Sequence, residues 1–158
     1  MPRVMKKIVL SLIVLVVLIL LFYLPSGDDT REIESTIDEI MMAGRKKDLD
    51  GVMDHFSVHY RDENGATYPV VKSVIMNFFS NYEGFDCNYS DLKVSINDSD
   101  EEQVAVASLE FYVSGIKAGG LFPIIGSESL PENIIVTLEK TTLGAWKIKE
   151  IEGVRIDE

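Results

Sequence analysis

The sequence predicts an α+β domain behind an N-terminal transmembrane helix. Three observations carry this. An apolar run fills Ile8 to Leu24, helical periodicity follows from Thr30 to Gly84, and period-two alternation takes over after that. The 158 residues fit one domain of ordinary size, and 46% hydrophobic with 26% charged residues excludes disorder and fibrous repeats. No repeat of solenoid length is visible.

The first element is Ile8–Leu24, uncharged and about 25 Å long as a helix at 1.5 Å per residue. Arg3, Lys6 and Lys7 precede it and Asp28 and Asp29 follow. The positive-inside rule then divides the chain. Residues 1–7 are a short cytoplasmic basic end, 8–24 a signal anchor, 25–29 a linker and 30–158 an extracytoplasmic domain. Phe22 and Tyr23 sit where interfacial aromatics belong. A cleaved signal peptide is the alternative, but Leu24-Pro25-Ser26-Gly27 lacks an A-x-A-like site and no Cys follows the run. A buried core helix is the third option, and so many β-branched and Leu residues with no polar face argue against it. A bacterial inner membrane with a periplasmic domain is the expected location.

Net charge is −11, and Arg3, Lys6 and Lys7 lie before the apolar run, so the outer domain is more acidic still. Such a surface repels phosphate backbones, which argues against nucleic acid as a partner. Cys87 is the sole cysteine, so neither an intramolecular disulfide nor a Cys-based metal site can form.

In the outer domain, Asp29 and Glu32 form a capping-box pair for a helix near Thr30, with Ile33, Ile37, Ile40, Met41 and Gly44 on one face. Arg45, Lys46 and Lys47 suit its C-terminal dipole. Asp48 caps a shorter helix whose face is Leu49, Val52, Met53 and Phe56. His59 to Asp62 is extended, and Glu63-Asn64-Gly65 turns the chain. Pro69 opens a third helix with Val71, Val74, Ile75, Phe78 and Tyr82 on one face, closed by Gly84. Four strands follow, carried by Leu92 to Ile96, Ala105 to Val113, Ile134 to Leu138 and Trp146 to Ile148. Ile151 is offset by one, which predicts a bulge. Helices first and a meander second place the helices on one face of a curved antiparallel sheet.

The paired helices, the segment Lys47-Asp48-Leu49-Asp50-Gly51 leading to Phe56 and His59-Tyr60-Arg61-Asp62, the third helix and the closing Trp146-Lys147-Ile148 strand are together similar to the nuclear transport factor two-like superfamily. The resemblance spans about Thr30 to Val154. It implies a cone-shaped α+β domain with a pocket between helices and concave sheet. Members range from ketosteroid isomerases and scytalone dehydratase to ligand binders, transport adaptors and secretion subunits, so the fold says little about function.

By strand alternation Tyr60 and Asp62 share a face, and a Tyr beside a carboxylate can polarise a carbonyl and move a proton. They are the catalytic candidates, weighed against a core Tyr and a turn-proximal Asp. His55 and His59 have metal-compatible spacing, but the helix is expected to end between them and no zinc-protease Glu accompanies them. Asn97 to Glu102 lacks the Gly and distal Glu of a calcium loop. No metal and no cofactor is expected. Gly115 to Pro131 is longer than an ordinary hairpin connection and carries Leu121, Phe122, Ile124 and Ile125, the candidate ligand- or partner-binding residues. Folding onto the domain itself is the alternative.

These readings point to a membrane-anchored domain that binds rather than transforms. Its partners would be the membrane through Ile8–Leu24 and an envelope protein or a second copy. A small-ligand binder, or an isomerase- or dehydratase-like enzyme using the apolar cone, is the rival.

Overall fold

A computed structural model describes residues 29–98 and 102–155. Three helices precede five strands: α1 (Asp29–Arg45), α2 (Leu49–Met53), α3 (Tyr68–Asn81), β1 (Gly84–Asp98), β2 (Gln103–Lys117), β3 (Gly120–Ile125), β4 (Glu132–Lys140) and β5 (Trp146–Glu152). The expected anchor at Ile8–Leu24, residues 25–28 of the linker and residues 99–101 of the Asn97–Glu102 turn lie outside the described residues. Among the described residues no helix is long and apolar enough to cross a membrane.

The helices follow the sequence closely. Ile33 and Ile37 are buried on α1, with Ile40 and Met41 packed partly against the same core. Asp29 is already helical, so it stands in the first turn rather than at the cap. Asp48 caps α2 as expected, its carboxylate accepting from the Gly51 amide at 3.0 Å, and Val52, Met53 and Phe56 are buried. α3 begins one residue before Pro69 and ends at Asn81.

The sheet is antiparallel, in the order β1-β2-β4-β5. β2 is long enough to serve two partners on one edge: Val104 to Phe111 pair with β4, and Val113 to Lys117 pair with β3. The bulge predicted near Ile151 is present, because Thr137 pairs with Glu150 while Leu138 pairs with Ile148. A second irregularity interrupts β1 between Ser90 and Lys93, with Asp91 in the left-handed region at φ 52°. Asp tolerates that conformation better than most side chains.

Two expectations need correction. Gly115 to Pro131 is not one long loop: β2 turns into β3 through Ala118 and Gly119, at φ 50° and 75°. Two successive positive φ values match the twist of a tight hairpin. The first strand also starts well before Leu92, at Gly84, so Gly84 opens a strand rather than closing a helix.

The C-terminal end of α3 is pinned to this hairpin. The Glu83 amide donates to the Ile116 carbonyl at 2.8 Å, and Lys47 Nζ donates to the Tyr82 carbonyl at 2.8 Å. The Tyr82 ring lies flat enough on Gly115 that a Cβ there would fall 2.2 Å from Cδ1. Any larger residue at Gly115 displaces the ring and with it the end of α3.

Candidate functional site

The body of α3 makes the site. Its sequence is strongly apolar, yet none of its residues is buried. Val71, Ile75 and Phe79 pack partly against the core, but between the helix and the sheet a cavity of about 380 Å³ stays open. Its floor is Leu109, Ile134, Val136 and Ile148 on the sheet, all at most 5% exposed, with Ile37 and Val52 from α1 and α2. Phe85, Cys87 and Val113 close one side. The rim carries the exposed residues Glu63, Asn64, Val70 and Val74.

The local sequence explains the rim. Asp62 Oδ1 accepts from the amides of Asn64 at 2.9 Å and Ala66 at 2.8 Å, an Asx-type arrangement that closes the turn. Gly65 meets the turn's geometry at φ 81°. The Arg61–Thr67 bridge then returns the chain to the start of α3.

Tyr60 and Asp62 both line the cavity, but not through the extended run expected over His59 to Asp62: the chain turns at Val58 and His59, the Tyr60 amide donates to the Ser57 carbonyl at 3.0 Å, and Arg61 makes an isolated bridge with Thr67. Tyr60 is buried, its ring 5.3 Å from that of Phe56. Burial, and secondarily the Asp62 carboxylate, push its hydroxyl up to about 12, with the Ile151 amide offsetting only part of this. The phenol therefore stays protonated near neutrality and is a hydrogen-bond donor rather than a base. Asp62 spends one oxygen on its own turn. The titratable groups of the wall are Tyr60, Asp62, Glu63 and Cys87, and the lining residues include no His, Lys or Arg. Burial pushes the Cys87 thiol up as well, the opposite of an activated nucleophile.

The four apolar candidates divide. Ile124 is 4% exposed and Ile125 half-buried, and both line the cavity, so their part of β3 is wall. Leu121 and Phe122 are 61% and 49% exposed and do not line it. His55 follows the end of α2 and lies 3.3 Å from Glu39, while His59 is exposed. Among the described residues no group of three or more His, Cys, Asp or Glu side chains is placed to hold a metal.

Sequence reading missed the β1 contribution to the wall. Phe85, Cys87 and Tyr89 alternate with Asp86 and Asn88, a period-two signal that could have extended β1 backwards. Arg45 secures that wall from outside, donating from Nη2 and Nε to the Cys87 carbonyl at 2.6 and 3.2 Å. The Tyr89 hydroxyl donates to Asp38 at 2.7 Å, tying β1 to α1.

No family model matches the chain, and comparison with curated proteins gives no match. Solved structures do match. Rv3472, a protein of unknown function from Mycobacterium tuberculosis solved as a point variant, is 15% identical, with a TM-score of 0.63 over 82% of this chain and 77% of that one. A candidate scytalone dehydratase from Novosphingobium aromaticivorans is 16% identical, with a TM-score of 0.64 over 82% of this chain and 85% of that one. Bd1075 from Bdellovibrio bacteriovorus is 10% identical, with a TM-score of 0.62 over 80% of this chain but only 41% of its own length. At these identities the likeness is one of fold alone: three helices with an antiparallel sheet.

Proposed function

We propose that the domain binds one small hydrophobic molecule in the cavity beneath α3. The observation that carries this is the hollow itself, about 380 Å³ walled by aliphatic and aromatic side chains. Ligand pockets are typically of this size, mostly apolar and provided with few polar groups. Binding is favoured over isomerase or dehydratase chemistry because Tyr60 is held as a donor and Asp62 Oδ1 is committed to its own turn.

The test is native mass spectrometry of the full chain alongside Val71→Trp, which fills the hollow from the half-buried face of α3. A retained small mass in the parent that Val71→Trp loses, with unchanged circular dichroism, supports the reading. Equal retention by both variants overturns it.

A second reading follows from the exposure of Leu121 and Phe122 on β3. In it the domain is held at a membrane by Ile8–Leu24, outside the cytoplasm, and captures an envelope protein or a second copy through this strand. Phe122→Ser tests it: loss of a co-purifying partner or of a dimer, with folding intact, is the expected result. Retention of the same assembly removes β3 from the reading.

A further inference from the structure

We infer that the cavity selects by charge, accepting neutral or cationic hydrophobic molecules and rejecting anionic ones such as carboxylates. This rests on the binding reading above and sharpens it. A hydrophobic ligand with one polar head leaves that head at the rim, where water is available, and buries its tail against Leu109 and Val136. Asp62 on the wall and Glu63 on the rim are carboxylates, and the lining residues supply no Lys, Arg or His to face an anion. Two cations on elements that form the wall are engaged elsewhere. Arg45 gives its guanidinium to the Cys87 carbonyl, and Lys149 lies 2.9 Å from Glu102 and 3.5 Å from Glu139. Arg61, between the two candidates in sequence, is exposed and does not line the cavity. The net charge of −11 adds a long-range field of the same sign. Asn64 on the rim and the protonated Tyr60 phenol on the wall supply hydrogen-bonding groups for a neutral alcohol or carbonyl.

Three soluble probes sharing one body, 3-phenylpropylamine, 3-phenylpropanol and 3-phenylpropionate, separate charge from hydrophobicity. Their affinities for the full chain in zwitterionic nanodiscs are read by saturation-transfer NMR, with empty nanodiscs as reference. The amine should bind at least about tenfold more tightly than the carboxylate, since one unit charge a few ångströms from another is worth more than a kcal/mol at intermediate dielectric. The alcohol should fall between them. The double variant D62N/E63Q keeps an Oδ1 acceptor for the Asn64 and Ala66 amides, so the turn survives, and an unchanged Tm verifies this. In that variant the amine-to-carboxylate ratio should shrink to within about threefold. A parent that binds carboxylate as tightly as amine, or a ratio unchanged in the double variant, overturns the charge inference while alcohol binding keeps the binding reading. Absence of alcohol binding overturns the binding reading, and the charge inference with it.

Discussion

The two ends of the sheet are built from similar residues but packed differently. Around Ala105, Ala107 and Leu138 the core is solid: all three are 0% exposed, as is Ile33 on α1, and Met53 on α2 is 1% exposed. Leu109 and Val136, equally apolar and 4% exposed, belong to the same core but also border the open space, as do Val113 and Ile124. The difference lies in what covers them. Ile33 on α1 and Met53 on α2 are buried outright and do not line the cavity, whereas α3 is pinned at its C-terminal end, has no buried residue and leaves its apolar face over a gap. Hydrophobic patterning is thus the same for a core and for a pocket, and only the span of the covering helix separates them.

The comparison predicts unequal responses to truncation. Leu138→Ala at the solid end should cost about 2–5 kcal/mol in urea unfolding, the usual range for emptying a packed site. Ile75→Ala on the roof should cost about 1 kcal/mol or less, because its neighbours already face open space. Equal costs would mean that α3 is as tightly packed as α1. Ile124→Ser comes next: as a wall residue at 4% exposure it should lose about 2–3 kcal/mol, whereas Phe122→Ser should stay within about 0.5 kcal/mol. That pair checks the division of β3 into a buried and an exposed part. Asp48→Ala removes a helix cap at the solid end and should cost about 1 kcal/mol by thermal unfolding.

The smallest effect is one of pH. Burial lowers the His55 pKa from its ordinary 6.5, and the opposing pull of Glu39 does not cancel this. Near and below pH 6.5 the unfolded chain therefore binds more protons at this position than the folded one. Its contribution is complete above 6.5 and is lost as pH falls through 6.5 towards the folded value. The urea midpoint of the parent should drop more between about pH 7.5 and 5 than that of His55→Gln. An equal drop would assign the pH dependence to other groups.

How much of this was legible in the chain varies by element. The helix faces and the alternation in β2 and β4 were plain because each buries one stripe or one side, and burial writes itself into the period. β3 was hidden for a physical reason: Leu121-Phe122-Pro123-Ile124-Ile125 does not alternate, since Leu121 and Phe122 are both exposed while Ile124 and Ile125 both meet the cavity. Its hairpin depends on Ala118 adopting a left-handed conformation that its residue type does not advertise. Of the candidate site, Tyr60 and Asp62 were singled out by an alternation that the fold replaces with a turn at Val58 and His59, although both residues line the cavity. The rest of the wall is drawn from every helix and strand and from the connections between them, and no local spacing records that convergence.

By itself the sequence determined the α+β class, the three helices with their faces, the Asp48 cap, the bulge near Ile151 and the acidic character of the surface. Those are local or compositional properties, set by side-chain period, cap chemistry and charge. Only the tertiary structure decided that Val71 and Ile75 roof a hollow while Ile33 and Met53 fill a core, and that Ile124 faces inward while Phe122 does not. The reason is that hydrophobic burial is non-directional: a sequence specifies which side chains leave water, and the geometry of the whole sheet and its covering helices specifies what they meet when they do.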